Sequence, residues 1–349
     1  MKQIQLGESG ITSSRIGLGT WAIGGWMWGG SDERESVATI RSAVERGITL
    51  IDTAPVYGFG RSEEIVGKAL VGIRDQVVIA TKCGLGWRDG KPYRDSRPQS
   101  LRKGVEDSLR RLQVDSIDLM QVHWPDLEFP IEDAARTLED LRREGKIRAI
   151  GVSNFSPEQM DVFRSAAPLA SVQPPYNLLE REVEADILPY AKRTGLTILC
   201  YGALCRGLLS GRMTAQQKFE GDDLRKVDPK FQQPRFAQYL AAADALRSLA
   251  QEHFGKSLLA LAIRWVLDQG PTVALWGARH PAQLDPMGEI DGWTIDADAK
   301  SEIDRILEQT IADPVSPAFM APPTARPASI DRPSEPTAQP ALATVPGES

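Results

Sequence analysis

The chain has 349 residues, 42% hydrophobic and 25% charged, which is ordinary globular composition. A net charge of −6 at pH 7 argues against general nucleic-acid affinity, though not against a local basic pocket. Met1-Lys2-Gln3-Ile4-Gln5-Leu6-Gly7 lacks the apolar centre of a signal peptide, and no apolar run approaches the ~20 residues that span a membrane.

Residues 4–14 read as a hairpin turning over 7–10, with Ile4, Leu6 and Ile11 on one side. Short apolar runs bounded by turn residues then predict strands near 16–20, 48–52, 77–81, 117–122, 148–152, 170–173, 197–201 and 272–276. Helical patterns separate most of them. Val37, Ile40 and Val44 share a face over 36–46, as do Leu101, Val105, Leu109 and Leu112 over 101–112. Such βα units with right-handed crossovers describe a closed (β/α)8 TIM barrel over 1–325. A doubly wound open sheet is the alternative, but no Gly-x-Gly-x-x-Gly follows an early strand, and a P-loop is absent too.

After the seventh predicted strand, residues 211–237 are polar and irregular and carry Arg212, Lys218, Arg225, Lys226, Lys230 and Arg235. Positive charge in a long loop at a barrel mouth suits an anionic ligand; a solvated surface loop is the ordinary alternative. From Asp313 onward prolines recur, and beyond 326 no apolar periodicity remains, so 326–349 is expected to be a disordered tail. The preceding piece holds Phe319 and Met320, which can dock on the barrel. Cys83, Cys200 and Cys205 fit no zinc or disulfide framework, so no metal is expected and a reducing cytoplasm is the simplest compartment. Cys83 reads as a small buried filler or, being next to Lys82, as a reactive thiol.

Asp52, Tyr57, Lys82 and His123 fall at or just past the ends of successive predicted strands. Taken singly, each has a bland explanation: a helix cap, a packed ring, a solvated strand end, a satisfied imidazole. In a parallel barrel, however, residues just past consecutive strands converge on one mouth. A carboxylate, a phenol, an ammonium and an imidazole gathered there form a proton-delivery set, which points to an enzyme. Trp21, Trp26 and Trp28 crowd the Gly-rich loop after the first barrel strand, and Trp124 follows His123. Each alone could be core packing; together they suggest an aromatic wall to a pocket that selects by shape.

The motifs resemble those of the aldo-keto reductase superfamily. Asp52-Thr53-Ala54-Pro55-Val56-Tyr57-Gly58-Phe59-Gly60-Arg61-Ser62-Glu63, continuing into Gly67-Lys68-Ala69-Leu70, is similar to its first signature. Gly145-Lys146-Ile147-Arg148-Ala149-Ile150-Gly151-Val152-Ser153-Asn154-Phe155 is similar to the central one, and Lys82 and His123-Trp124-Pro125-Asp126 stand at matching spacing. Ala274-Leu275-Trp276-Gly277-Ala278-Arg279, Asp313-Pro314-Val315 and Phe319-Met320-Ala321-Pro322-Pro323 resemble a bacterial branch of general stress proteins and broad-range aldehyde reductases. The likeness covers about residues 4–325.

The resemblance implies a barrel that binds NADPH in extended form. Ser153, Asn154 and Gln173 would hold the nicotinamide carboxamide, Tyr201 would stack on the ring, and Thr20, Trp21 and Asp52 would border it. Gly202, Ala203, Leu204, Arg206 and Gly207 would line the pyrophosphate path, with Arg212 and Arg225 reaching over it. Gly277, Ala278, Arg279 and Gln283 would surround the 2′-phosphate. Where many relatives have Glu-Asn for the adenine, this chain has Leu284-Asp285-Pro286-Met287.

On that reading Trp21, Trp28, Tyr57, His123 and Trp124 surround a small carbonyl substrate, whether short and polar such as glyceraldehyde, sugar-like or aromatic. Hydride addition leaves an alkoxide that needs a proton. A free tyrosine, with a pKa of about 10, is a sluggish acid, and a nearby ammonium is expected to lower it by about 1–3 units. Asp52 would keep Lys82 charged, and a neutral His123 would donate to the carbonyl oxygen. The expected activity is NADPH-dependent reduction of aldehydes and ketones, reversible as alcohol oxidation, by a monomer or weak homo-oligomer. An NADPH-binding regulatory subunit, as in potassium-channel β subunits, is the alternative, but no docking segment is visible. A barrel hydrolase or lyase would want paired carboxylates or metal ligands at the strand ends, and none cluster there.

Overall fold

Eight parallel strands close on themselves in the computed structural model, which describes residues 1–323. We number them β1 (Ile16–Gly19), β2 (Leu50–Asp52), β3 (Val78–Cys83), β4 (Ile117–Val122), β5 (Ile147–Ser153), β6 (Ser171–Gln173), β7 (Thr197–Cys200) and β8 (Thr272–Gly277). Neighbours pair in that order, and β8 returns to β1 with Trp276 opposite Leu18 and Gly277 opposite Gly19. Each predicted strand is present, with ends shifted by a residue or two, and the open-sheet alternative is excluded by closure.

The alternation of strand side chains explains how one sequence makes both a core and a site. Leu50, Val78, Ala80, Leu119, Ala149, Leu199, Val273 and Leu275 form one apolar cluster inside the barrel. Their neighbours Leu18, Ile51, Ile79, Met120, Val122, Ile150, Val172, Ile198 and Trp276 belong to a second cluster shared with the surrounding helices. Continuing the inward register toward the strand C-termini replaces apolar residues with Asp52, Lys82, Gln121, Ser153 and Gln173, all buried. The lower barrel is therefore a packed plug and the upper barrel a polar layer.

Helices cover the outside. Glu33–Glu45 starts on Asp32, whose carboxylate accepts from the Glu35 amide, and Pro157–Arg164 starts with a capping box between Ser156 and Gln159. Pro98–Leu112 turns Leu101, Val105 and Leu112 inward, which is the apolar stripe read from the sequence. Arg235–Phe254 and Ala297–Thr310 pack on each other as additions to the βα repeat. Gln3–Gln5 and Thr12–Ser14 form the expected hairpin, and its Leu6 and Ile11 close the bottom of the inner cluster. A second hairpin, Leu85–Arg88 with Lys91–Arg94, rises after β3 and was not anticipated.

The 211–237 region contains single turns at Leu224–Lys226 and Pro229–Phe231. Beyond Ala297–Thr310, residues 312–323 run back over the mouth: the Val315 amide donates to Tyr239 Oη at 2.9 Å, and Arg94 Nε donates to the Pro322 carbonyl at 3.2 Å. The expected tail, 326–349, lies outside the described residues. Among the described residues no helix is long and apolar enough to cross a membrane.

Candidate active site

Lys82 is the hub of the polar layer. Its ammonium donates to Asp52 Oδ2 at 2.8 Å, Asp52 Oδ1 at 2.9 Å and the Thr53 carbonyl at 3.0 Å, and lies 3.4 Å from Tyr57 Oη. Asp52 and Lys82 face each other because β2 and β3 are neighbours and both side chains follow the inward alternation. Tyr57 is brought in by its loop. Gly58 has φ 68°, and a Cβ there would lie 2.2 Å from the Gly24 carbonyl oxygen; one on Gly24 would lie 2.6 Å from the Tyr57 carbonyl. Two glycines thus let this loop press against the loop after β1. The Tyr57 ring stacks on Trp21 at 5.8 Å and meets the His123 ring edge-on at 5.9 Å. The four residues singled out in the sequence are together.

Their electrostatics differ from expectation in one respect. Desolvation, and then the Asp52 charge, push the Tyr57 phenol well above its ordinary value, where a depression by Lys82 was expected. The reason is geometric: the shorter Lys82 bonds go to Asp52 and Thr53, the longest, at 3.4 Å, goes to Tyr57 Oη, and the adjacent carboxylate offsets the ammonium field. Burial also lowers Lys82, against which Asp52 and then Glu63 hold its charge. Burial, then Lys82, carry His123 well below its ordinary range, so its imidazole is neutral, as expected. The set therefore holds a protonated phenol beside a neutral imidazole.

These residues open onto a cleft of about 420 Å³. Thr20, Trp21, Trp28, Asp52, Tyr57 and Tyr201 line it, as do Gly202, Ala203, Leu204, Arg206 and Gly207. Arg212, Arg225, Gly277, Ala278, Arg279 and Gln283 complete the lining residues that the sequence had singled out. Ser153, Asn154, Gln173 and His123 are not part of this lining but connect to it through Tyr57, Asp52 and Tyr201. Asn154 Nδ2 donates to the His123 carbonyl at 3.1 Å, its Oδ1 accepts from Tyr201 Oη at 3.0 Å, and Gln173 Nε2 donates to Asp52 Oδ1 at 2.8 Å. Asn154 adopts φ 61°, a left-handed conformation of the kind often held at functional sites. Trp28 meets Trp21 edge-on at 5.8 Å, whereas Trp26 packs on Phe59 at 4.9 Å and Trp124 lies under the Arg94 guanidinium at 5.4 Å. Only Trp21 and Trp28 of the four tryptophans line the cleft.

The basic loop also needs correction. Lys230 is fully buried between Glu180 at 2.9 Å and Asp228 at 3.3 Å, and Arg235 pairs with Asp313. Of the loop's cations only Arg212 and Arg225 line the cleft; Arg225 is bidentate to Asp223 and lies over Trp28 at 5.3 Å. Arg206 pairs with Glu180 and Asp228, each at 3.2 Å, and faces Phe319 and Met320 from the returning C-terminal segment. Arg279 donates to the Trp28 carbonyl at 3.0 Å and the Gly30 carbonyl at 2.6 Å.

Met320 lines the cleft, in keeping with its expected docking on the barrel, whereas Ser210, Met213, Gln217 and His280 also line it and were missed. His280, beside Arg279, had a positional signal; the others depend on how the long loop folds back. The cysteines are buried, with Cys83 pushed up to about 12 by burial, which fits fillers better than nucleophiles. Among the described residues no group of His, Cys, Asp and Glu could hold a metal.

A nicotinamide dinucleotide fits this donor set. Arg206, Arg212, Arg225 and Arg279 line the cleft, with Arg206 paired to Glu180 and Asp228 and Arg225 to Asp223, so Arg212 and Arg279 give it most of its positive character. The buried indole nitrogens of Trp21 and Trp28 have no hydrogen-bond partner, and a Cβ on Gly19 would meet nothing within 4 Å. The site thus offers unmet donors and open space beside the proton-delivery set.

Comparison with known proteins agrees. The profile of the aldo/keto reductase family matches residues 15–308. The chain is 58% identical over 327 residues to the aldo-keto reductase YhdN of Bacillus subtilis, covering 93% of this chain and 99% of that one. It is 37% identical to the NADH-specific methylglyoxal reductase of Escherichia coli, over 81% of this chain and 91% of that one. Among solved structures, the glycerol dehydrogenase AKR11B4 of Gluconobacter oxydans superposes with a TM-score of 0.83 at 55% identity, covering 91% of this chain and 99% of that one.

Proposed function

We propose that this chain, which belongs to the aldo/keto reductase family and is therefore an oxidoreductase of carbonyl and alcohol groups, reduces small aldehydes and ketones with NADPH. The observation that carries this reading is the Tyr57 phenol, 3.4 Å from the ammonium of Lys82 that Asp52 holds and edge-on to His123, in the wall of a cleft that four arginines also line.

Each residue then has a defined task. His123 donates a hydrogen bond to the carbonyl oxygen and fixes the substrate. Tyr57 delivers the proton to the alkoxide as it forms, and Lys82 orients the phenol and stabilises the phenolate left behind. Asp52 keeps Lys82 charged. A bound nicotinamide would supply the hydride. Ser153, Asn154 and Gln173 would hold its carboxamide, Tyr201 its ring face, and Thr20 and Trp21 its border. Gly202, Ala203, Leu204, Arg206, Gly207, Arg212 and Arg225 would follow the pyrophosphate, and Gly277, Ala278, Arg279 and Gln283 the 2′-phosphate. In the reverse direction the same groups would oxidise an alcohol.

Trp21 and Trp28 narrow the substrate side, which favours compact carbonyls. The names of the glycerol dehydrogenase and methylglyoxal reductase relatives point the same way, toward short oxygenated compounds such as glyceraldehyde. Preference for NADPH rests on Arg279, since a guanidinium matches a phosphate bidentately. The test is cofactor oxidation against a panel of short polar, sugar-like and aromatic carbonyls, run with NADPH and with NADH. Turnover of short carbonyls with NADPH supports the reading; no turnover of any carbonyl with either cofactor contradicts it.

A further inference from the structure

Gln121 has no role in the chemistry above, yet it sits in the polar layer beside the reacting groups. It pairs across strands with Lys82 on one side and Gly151 on the other, and it is fully buried. A Cβ on Gly151 would lie 2.9 Å from Gln121 Cγ, so the glycine leaves room for this side chain.

We propose that Gln121 is a positioning residue: with Asp52 it locks the Gln173 amide so that oxygen, not nitrogen, is presented to the nicotinamide carboxamide. Gln173 Nε2 donates to Asp52 Oδ1 at 2.8 Å and to Gln121 Oε1 at 3.2 Å. A primary amide nitrogen has two hydrogens, and both are thereby used. Flipping the amide would set its oxygen against the Asp52 carboxylate and against the Gln121 oxygen, two acceptor–acceptor contacts in a buried layer. Gln121 Nε2 faces Asp52 Oδ1 at 3.5 Å, which fixes the Gln121 amide in turn.

The neighbouring groups have their donor hydrogens already in use. Ser153 Oγ donates to the Gln173 carbonyl at 2.8 Å. Asn154 Nδ2 serves Ser153 Oγ at 3.0 Å and the His123 carbonyl at 3.1 Å, and its Oδ1 accepts from Tyr201. Gln173 Oε1 thus stands open as an acceptor for the carboxamide N–H, beside the acceptor capacity that Ser153 Oγ and Asn154 Oδ1 retain, and the same Asp52 that charges Lys82 also sets the polarity of the cofactor site.

This inference rests on the reading that Gln173 holds the carboxamide, and the experiment separates the two. Calorimetry would measure binding of NADP+ and of 2′,5′-ADP, which lacks the nicotinamide, to wild type, Gln121→Leu, Gln173→Leu and the double variant. We expect each single variant to weaken NADP+ roughly three- to ten-fold, the scale of one hydrogen bond. Binding of 2′,5′-ADP should not change, and the double variant should be no weaker than Gln173→Leu. Unchanged NADP+ affinity in Gln121→Leu, equal weakening of both ligands, or additive losses would overturn the role of Gln121. If Gln173→Leu itself spares NADP+, the carboxamide assignment fails and takes the inference with it. Gln121→Met, closer in length, carries the same comparison if the leucine variant does not fold.

Discussion

The Lys82 ammonium lies 3.4 Å from the Tyr57 hydroxyl but gives its shorter bonds, 2.8 and 2.9 Å, to the two oxygens of Asp52. The lysine is thus held in place by the carboxylate and points at the phenol without ionising it. Such an arrangement keeps a proton on Tyr57 until an alkoxide develops.

Lys82→Met is therefore expected to lose stability and turnover together. Both partners are almost fully buried, and removing one leaves the other charge uncompensated, an effect of roughly 3–5 kcal/mol. Thermal or urea melts beside a turnover assay check this. An unchanged melting temperature would show that the pair does not hold the mouth of the barrel together.

Stability should decline as pH falls below about 6.5, the pKa of His123 in the unfolded chain. In the folded protein burial and Lys82 hold this imidazole well below that value. Below 6.5 the unfolded state takes up a proton that the folded state refuses, so the slope of stability with pH approaches about 1.4 kcal/mol per unit. The contribution is complete above 6.5 and is lost as pH drops through the folded value. Urea melts between pH 7 and 5 should show the slope in wild type and its reduction in His123→Gln.

Arg279→Ala should raise the KM for NADPH much more than that for NADH, because only NADPH carries the 2′-phosphate. The guanidinium also ties the Trp28 and Gly30 carbonyls, so a smaller, cofactor-independent rise in substrate KM is expected as well. Equal effects on the two cofactors would remove the phosphate assignment.

Truncation after residue 312 should lower the melting temperature or kcat/KM. It removes the Val315 bond to Tyr239, the Pro322 carbonyl that Arg94 holds, and Phe319 and Met320 beside Arg206. Removal of 326–349 alone should leave both near wild type, since its composition offers little to bury. A large loss from the shorter deletion would give the tail a role that its sequence does not suggest.

The barrel was legible because most strands are short apolar runs bounded by turn residues, and in several the inward alternation ends in a polar residue, as Leu50 leads to Asp52 and Val78 to Lys82. The gathering of Asp52, Tyr57, Lys82 and His123 followed from strand ends alone. The hairpin at Leu85–Arg88 and Lys91–Arg94 had its signal in Asp89-Gly90, both at positive φ as a tight two-residue turn requires, and that signal was passed over. Other features were not legible. The rise of the Tyr57 phenol depends on desolvation by walls that meet only in three dimensions. Lys230 looked like a free loop cation because, although Asp228 is near in sequence, its shorter ion pair is to Glu180, which lies far away in sequence. Gln121 carries no signal of its own in the sequence, and only the register of β3, β4 and β5 shows what it faces.

Tyr57→Phe tests the central claim most directly, with turnover and NADPH binding measured on the same preparation. The phenolic proton is needed only in the chemical step, so kcat should fall by ~10²–10⁴, the usual contribution of general acid catalysis, while NADPH affinity and melting temperature stay near wild type. A variant that keeps more than about a tenth of wild-type kcat would show, against that range, that Tyr57 is not the acid.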